Sequence, residues 1–158
     1  MNRKYWLDLF TGKTWEEFFK NGATISGFKE RRRNIAKKIQ PGDYLICYLT
    51  GLSRFIGVLE VLSESYFDTG TRIWEDQLFP VRFKVKLVHA LEAKTAIPVH
   101  DLKDKLSIFR DAKTSRSWSG FFRGSPHQFD QKDGEIIVEA IRTATVNPIE
   151  REFDDRKY

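Results

Sequence analysis

The 158-residue chain contains a single cysteine, Cys47, and therefore cannot form an intramolecular disulfide. Its three histidines, His89, His100 and His127, are too far apart to give the spacing of a metal site. A phosphate-binding loop, a dinucleotide-binding glycine pattern and a G-x-S-x-G nucleophile elbow are also missing. The usual sequence signals of a histidine–cysteine metal site, of nucleotide-phosphate binding and of acyl transfer are therefore missing, and no cofactor is expected.

The sequence also lacks any apolar run near the roughly 20 residues of a membrane-spanning helix. Its N-terminus is too short and too polar for a signal peptide. A lone thiol fits a reducing compartment, so the expected location is cytoplasmic and away from membranes.

Aromatic residues and positive charge are plentiful. Aromatics make up 14% of the chain, and the net charge of +5 gives a pI of about 9.3. An excess of cations fits either an anionic partner such as nucleic acid or simple solubility. The stretch ISGFKERRRNIAKK places six cations within ten residues, opposed only by Glu30. This basic run consists of Lys29, Arg31, Arg32, Arg33, Lys37 and Lys38.

Apolar patterning predicts short strands and helices. Strands are expected at residues 5–9, 44–49, 55–62 and 81–88, and helices at 15–21, 30–39, 101–106 and 130–144. Thr14 is a candidate N-cap, Ser26 and Gly27 form a turn, and residues 107–128 are irregular. In residues 81–88 apolar side chains alternate with Arg82, Lys84 and Lys86, which predicts a cationic face that is either solvated or beside a nucleic-acid surface. Without regular strand–helix alternation, the pattern indicates an α+β fold, a small mixed β-barrel of five to six strands decorated by short helices.

One domain is expected over residues 1–144. Residues 145–158 turn to Asn-Pro and mixed charge, which predicts a C-terminal tail or linker that leads to a further domain. No stretch typical of a dimerisation helix is present, so the oligomeric state is left open.

A nuclease interpretation starts from Glu92-Ala93-Lys94. Restriction-type nucleases place an Asp upstream of Glu-x-Lys on neighbouring strands, where the carboxylates hold a metal that activates water. Asp68 or Asp76 would supply the upstream carboxylate. The tripeptide is common by chance and lies where its strand ends, so it is the weaker hypothesis.

Several segments, in order, resemble EVE domains. They are YWLDLFTGKTW, SGFKERRRN, PGDYLICY, FIGVLEVLSESYFD, FPVRFKVKLV and SWSGFFRGSP, and the resemblance covers about residues 4–142. EVE domains belong to the PUA-like superfamily and are related to the YTH readers of methylated adenine in RNA. The resemblance implies a non-catalytic, helix-decorated barrel that holds one flipped, modified base between aromatic walls.

The resemblance also implies site residues. Candidates for the base pocket are Thr11, Ser26, Gly27, Phe28, Tyr48, Trp74, Arg123 and Ser125, and candidates for phosphate contacts are Lys13, Arg31, Arg32, Arg33, Lys37 and Lys38. Ser26 departs from the family, since many relatives carry a pocket Trp there, so either Phe28 substitutes or the pocket is wider. Trp74 is either a cage wall or a loop anchor, Tyr48 reaches either the pocket or the core, and Arg123 either grips the ligand or forms an internal salt bridge.

The expected function is to read a modified base, with 5-methyl- or 5-hydroxymethylcytosine in DNA favoured. Because some EVE domains are fused to nucleases or translocases, a fused or associated effector domain is expected as well. Three alternatives stay open: an RNA reader of N6-methyladenine or modified tRNA, a module for small molecules or proteins, and the metal-dependent nuclease that uses Glu92 and Lys94.

Overall fold

The computed structural model describes residues 2–110 and 117–158. Seven strands lie in this part of the chain: β1 (Tyr5–Phe10), β2 (Ile25–Phe28), β3 (Tyr44–Leu49), β4 (Arg54–Val61), β5 (Tyr66–Phe67), β6 (Val81–Ala90) and β7 (Ile97–Pro98). They form one sheet in the order β1-β3-β4-β6-β2, with β5 paired to β6 and β7 paired to β4. The β1–β3 pair is parallel and the other pairs are antiparallel. This mixed half-barrel confirms the predicted α+β class.

Short helices decorate the sheet. They are α1 (Gly12–Lys20), α2 (Arg33–Ala36), α3 (Ser107–Arg110) and α4 (Gln131–Val146), with 3₁₀ turns at Glu30–Arg32, Val99–Leu102, Ser117–Arg123 and Asp155–Lys157. The predicted apolar stripe of α4 buries Ile137, Ile141 and Ala144 against β4 and β6. No helix in the described ranges is long and apolar enough to span a membrane.

The strand order leaves an open seam between the two edge strands, β1 and β2, which do not pair with each other. A side-chain hydrogen bond crosses this seam, where the Ser26 hydroxyl donates to Asp8 Oδ2 at 2.5 Å. Both residues are buried. The seam is therefore the place where the barrel wall is not closed by a backbone ladder.

The largest difference from the sequence prediction is β2, because Ser26 and Gly27 were expected in a turn. They pair with Phe83 and Arg82 of β6, a partner more than fifty residues away. A four-residue strand has too little local pattern to be seen without its partner. The predicted helix at 30–39 is also shorter, a 3₁₀ turn followed by one turn of α-helix.

Two further predictions are wrong in detail. Helix α1 begins at Gly12, and its N-cap is Thr11, whose side chain accepts from the Thr14 backbone N–H at 3.1 Å. Arg82, expected on a solvated face, is fully buried. The alternation does not predict this burial, because residues 66–79 cover the Arg82 side chain. Asp68 forms a salt bridge with its guanidinium at 3.2 Å.

The residues after α4 fold back onto the barrel. The buried Arg54 guanidinium donates to the backbone carbonyls of Arg151 at 3.2 Å and Glu152 at 2.8 Å. Tyr158 lies so close to Gly12 that a Cβ there would be 2.6 Å from the Tyr158 carbonyl carbon. This segment is packed onto the domain, and a further domain stays a prediction.

Candidate nucleic-acid interface

A cleft of about 160 Å³ lies at the open seam between β1 and β2. We call it the seam cleft, and its lining residues are Leu9, Gly27, Phe28, Lys29, Arg31, Arg32, Phe79, Arg123, Gly124 and Ser125. Among these described residues, four are cations and none is a carboxylate. The structure thus brings together six of the predicted site residues, namely Gly27, Phe28, Arg31, Arg32, Arg123 and Ser125.

Phe79 is the aromatic residue of the cleft that sequence reasoning missed. It is half-buried, whereas Phe28 is only 2% exposed and packs edge-to-face on Phe83. The backbone of Phe79 adopts φ +45°, a left-handed conformation that is unfavourable for a bulky side chain. Strained residues of this kind concentrate at ligand sites. No signal in the local sequence LFP distinguishes this conformation.

Gly27 allows the close approach that forms the wall behind Phe79. A Cβ at position 27 would lie 2.6 Å from the Phe79 carbonyl oxygen and 3.0 Å from Trp74 Cζ3. Real side chains do not tolerate such contacts with backbone, because core packing leaves no free space there. The glycine is thus required by the position of Phe79.

Trp74 supports Phe79 from behind and does not line the cleft. It is 1% exposed, and its ring meets the Phe79 ring edge-to-face with centroids 5.3 Å apart. Its indole N–H donates to the Thr14 carbonyl at 3.3 Å. Of the two predicted roles, this geometry is that of a loop anchor.

The buried Arg82 fixes the backbone on which Phe79 sits. Its guanidinium donates to the Phe79 carbonyl at 3.2 Å and to the Leu78 carbonyl at 3.1 Å. The same group pairs with Asp68. Backbone N–H donors of Thr71 and Gly70, and then the Arg82 charge, lower the pKa of Asp68.

The opposite side of the cleft is formed by residues 123–125. The Ser125 hydroxyl accepts from the Leu9 backbone N–H at 3.3 Å and ties this segment to β1. Gly124 lies against the Arg32 guanidinium, where a Cβ would be 1.9 Å from Arg32 Nη2. Burial, and then the nearby Arg32 charge, lower the pKa of His127.

The cations around the cleft are not compensated by carboxylates. Within residues 2–110 and 117–158, no ion pair involves Arg31, Arg32, Arg33, Lys37, Lys38 or Arg123. The internal salt bridge considered for Arg123 is therefore not formed there. Lys13, in contrast, pairs with Glu75 at 3.2 Å and Asp76 at 3.1 Å, so its charge is already neutralised.

Besides Trp74, three predicted pocket residues lie outside the cleft. Thr11 caps α1, and Ser26 is fully buried against Asp8. Tyr48 belongs to the core, where it stacks on Phe122 with ring centroids 4.2 Å apart, and burial raises its pKa to about 12. Sequence position predicts all three in the pocket. In the structure the helix cap engages the Thr11 side chain, and the strand pleat directs the side chains of Ser26 and Tyr48 away from the cleft.

Asp8 is the main electrostatic anomaly beside the site. Burial raises its pKa to about 7, against the smaller opposing effect of the hydrogen bond from Ser26. The Cys47 thiol, its register partner on β3, has its pKa raised by burial and then by Asp8. A carboxyl group that titrates near neutral pH thus lies at the seam beneath the cleft.

The carboxylates of the nuclease alternative are not brought together. Asp68 lies beside the start of β6, where its N–H donates to the Pro80 carbonyl, and Glu92 follows the end of that strand. Ten residues of strand extend about 33 Å. Asp76 is held by Lys13, and no group of three metal-ligating side chains is found among the described residues.

A larger groove of about 600 Å³ lies along α4. Its described charged lining residues are three carboxylates and three cations: Asp101, Glu135, Glu139, Lys105, Lys132 and Arg151. With no net charge, it offers nothing specific to a phosphate backbone. The seam cleft is therefore the better candidate for nucleic acid despite its smaller volume.

Comparison with known proteins agrees with the predicted resemblance. The EVE domain family model matches residues 4–140. A UPF0310 protein of Pyrococcus abyssi is 27% identical over 149 residues, which cover 87% of this chain and 98% of that protein.

Two solved YTH structures show the same fold at low identity. The Mmi1 YTH domain in complex with RNA aligns with a TM-score of 0.65 at 15% identity, covering 96% of this chain and 85% of that one. The Pho92 YTH domain in complex with m6A aligns with a TM-score of 0.63 at 21% identity, covering 98% and 92%.

Proposed function

We propose that this chain, which belongs to the EVE domain family, binds nucleic acid by enclosing one modified base in the seam cleft. The observation that carries the proposal is the lining of that cleft. It combines the half-buried ring of Phe79, whose backbone is strained, with arginines that form no ion pair with a described carboxylate. An aromatic face beside unpaired cations matches a ligand that has both a π-face and a phosphate.

The energetics of such a reader are consistent with these residues. Removing a base from its stack costs a few kcal/mol. Stacking on an aromatic ring returns about 1 to 3 kcal/mol, and phosphate contacts add a salt-dependent term. Phe79 would supply the first contribution and Arg31, Arg32 and Arg123 the second.

We propose modified cytosine in DNA as the target. The cleft, at about 160 Å³, is smaller than the roughly 300 to 1,000 Å³ of sites for drug-sized ligands. A single-ring base fits this volume better than a purine. A cytoplasmic location and a fused or associated effector domain complete the proposal; they come from the sequence and the family.

N6-methyladenine in RNA is the second candidate. The observation that favours it is the structural similarity to the Pho92 YTH domain, which was solved in complex with m6A. In this case the cleft must widen to admit two fused rings. The preferred base therefore separates the two candidates.

The test is a fluorescence anisotropy panel with oligonucleotides of one sequence. Single- and double-stranded DNA and RNA would carry cytosine, 5-methylcytosine, 5-hydroxymethylcytosine, adenine or N6-methyladenine at one site. We expect at least a tenfold preference, about 1.4 kcal/mol, for one modified base. Phe79→Ala should remove that preference, because the stacking face is lost.

Phe153→Ala provides a matched control. Phe153 is also half-buried but lies in the C-terminal segment, outside the cleft, so it should keep the wild-type preference. Equal affinity for every base in the wild-type protein would contradict the proposal. A preference that survives Phe79→Ala would place the base elsewhere.

Neutralising the cleft arginines is expected to weaken the salt dependence of binding. Each lost phosphate contact reduces the slope of log K against log salt by about 0.7 for a single strand. We expect this reduction for Arg31→Gln and Arg123→Gln, measured by titration at several salt concentrations. Lys13→Gln is the control, since Glu75 and Asp76 already pair with Lys13, and its slope should stay unchanged. An unaltered slope in both arginine variants would exclude them as phosphate contacts.

A further inference from the structure

An exposed aromatic ring lies outside the seam cleft. Phe67 of β5 is 41% exposed, which is unusual for a phenylalanine. The guanidinium carbon of Arg33 sits 4.6 Å from the centre of its ring. Among the exposed large hydrophobic residues of the described chain, Phe67 is the one that carries a cation on its ring.

The sheet register connects this ring to the cleft. Phe67 pairs with Val81 on one side of β6, and Phe28 pairs with Val81 on the other. Phe28 lines the cleft, so two strand spacings, about 10 Å, separate the two backbones. That distance is short enough for neighbouring nucleotides of one strand to reach both places.

The charges between the two places are continuous as well. Arg31 and Arg32 line the cleft, and Arg33 follows them directly in the chain. Lys37 and Lys38, which belong to the same basic run, are exposed. The acidic neighbour of Phe67 in the chain, Asp68, is engaged by Arg82. A phosphate backbone that leaves the cleft would therefore meet cations up to the Phe67 ring.

We propose that Phe67 and Arg33 form a second nucleotide site, which stacks the base adjacent to the one enclosed in the cleft. The inference rests on the proposed function. Because the Arg33 guanidinium covers one face of the Phe67 ring, the base stacks on the other face, and the guanidinium supplies charge for an adjoining phosphate. Stacking on a ring is indifferent to base identity, so this site adds affinity without adding sequence preference.

The experiment combines a protein variant with an abasic oligonucleotide. Single-stranded oligonucleotides carrying 5-methylcytosine or N6-methyladenine would have each neighbouring base removed in turn. One abasic position should weaken wild-type binding by about 5- to 150-fold, the value expected for one lost base–aromatic stack. Phe67→Ala should show the same loss with the complete oligonucleotide and no additional loss with the abasic one. Phe67→Trp should retain binding.

Leu62→Ala is the matched control, because Leu62 is 52% exposed and lies outside both sites. Wild-type affinity of Phe67→Ala, or equal losses at every abasic position, would overturn the second site. Failure of the proposed function can be distinguished from failure of the second site, because the wild-type protein would then show no preference for a modified base. A wild-type protein that binds none of these oligonucleotides would overturn both.

Discussion

Trp74→Ala is expected to lower the free energy of unfolding by about 3 to 5 kcal/mol, the usual cost of truncating a large buried aromatic side chain. Trp74 is 1% exposed and supports both Phe79 and Gly27. The cavity would also release Phe79 from its left-handed conformation. Base binding should therefore be lost together with stability. Urea denaturation and the anisotropy panel measure the two effects.

A second substitution tests whether Trp74 only supports Phe79 or contacts the base itself. Trp74→Phe keeps most of the packing and loses the hydrogen bond to the Thr14 carbonyl. We expect it to cost about 0.5 to 1.5 kcal/mol of stability for that bond, plus a contribution from the smaller ring, while the base preference is retained. If Trp74→Phe were as stable as the wild-type protein but lost its preference, Trp74 would contact the base directly, as a cage wall does.

Asp8→Asn is expected to change how stability depends on pH. Burial raises the pKa of Asp8 from 3.8 to about 7, so between these values the folded state binds a proton that the unfolded state has released. The Asp8 contribution to the free energy of unfolding therefore falls as pH rises from about 4 to 7 and is constant above pH 7. The total decrease over this range is about 4 kcal/mol. Asn cannot ionise, and its carbonyl oxygen can still accept from Ser26. The variant should gain stability relative to the wild type as pH rises.

Denaturation of both proteins at pH 5, 6, 7 and 8 provides the measurement. His127 titrates in the same window with the opposite sign, because its pKa is lowered in the folded state. Both proteins carry His127, so its contribution cancels in the difference between them. A constant difference across the four pH values would show that Asp8 does not titrate in this range.

The central strands could be predicted from the sequence because their apolar runs are buried on both faces. Residues 44–49 match β3 at both ends, and the prediction for β4 differs by one residue at each end. β2 could not be predicted, because four residues with a Ser-Gly centre form a strand only when they pair with β6. Arg82 was misplaced for a related reason. Alternation predicts which face a side chain takes, but it does not predict that a loop will cover that face.

Candidate site residues that belong to one segment of the chain lie together at the seam cleft. Gly27, Phe28 and the first arginines of the basic run reach the cleft as one segment, and Arg123 and Ser125 as another. Candidate residues whose side chains have local partners lie outside the cleft, as with Thr11, which caps α1. Phe79 could not be found, because its role depends on a backbone angle and on Trp74 behind it. Neither the backbone angle of Phe79 nor its packing on Trp74 can be predicted from a single sequence.

The unpaired seam also affects how such a domain could change its ligand. A closed ladder fixes the spacing of its strands through many backbone hydrogen bonds, and any adjustment must break several together. Here the described tie between the two edge strands is one side-chain bond, from Ser26 to Asp8. Substitutions at this buried pair would change the width of the seam cleft without replacing any residue that lines it. If the cleft encloses a base as proposed, base selectivity can then change through mutations in the protein interior.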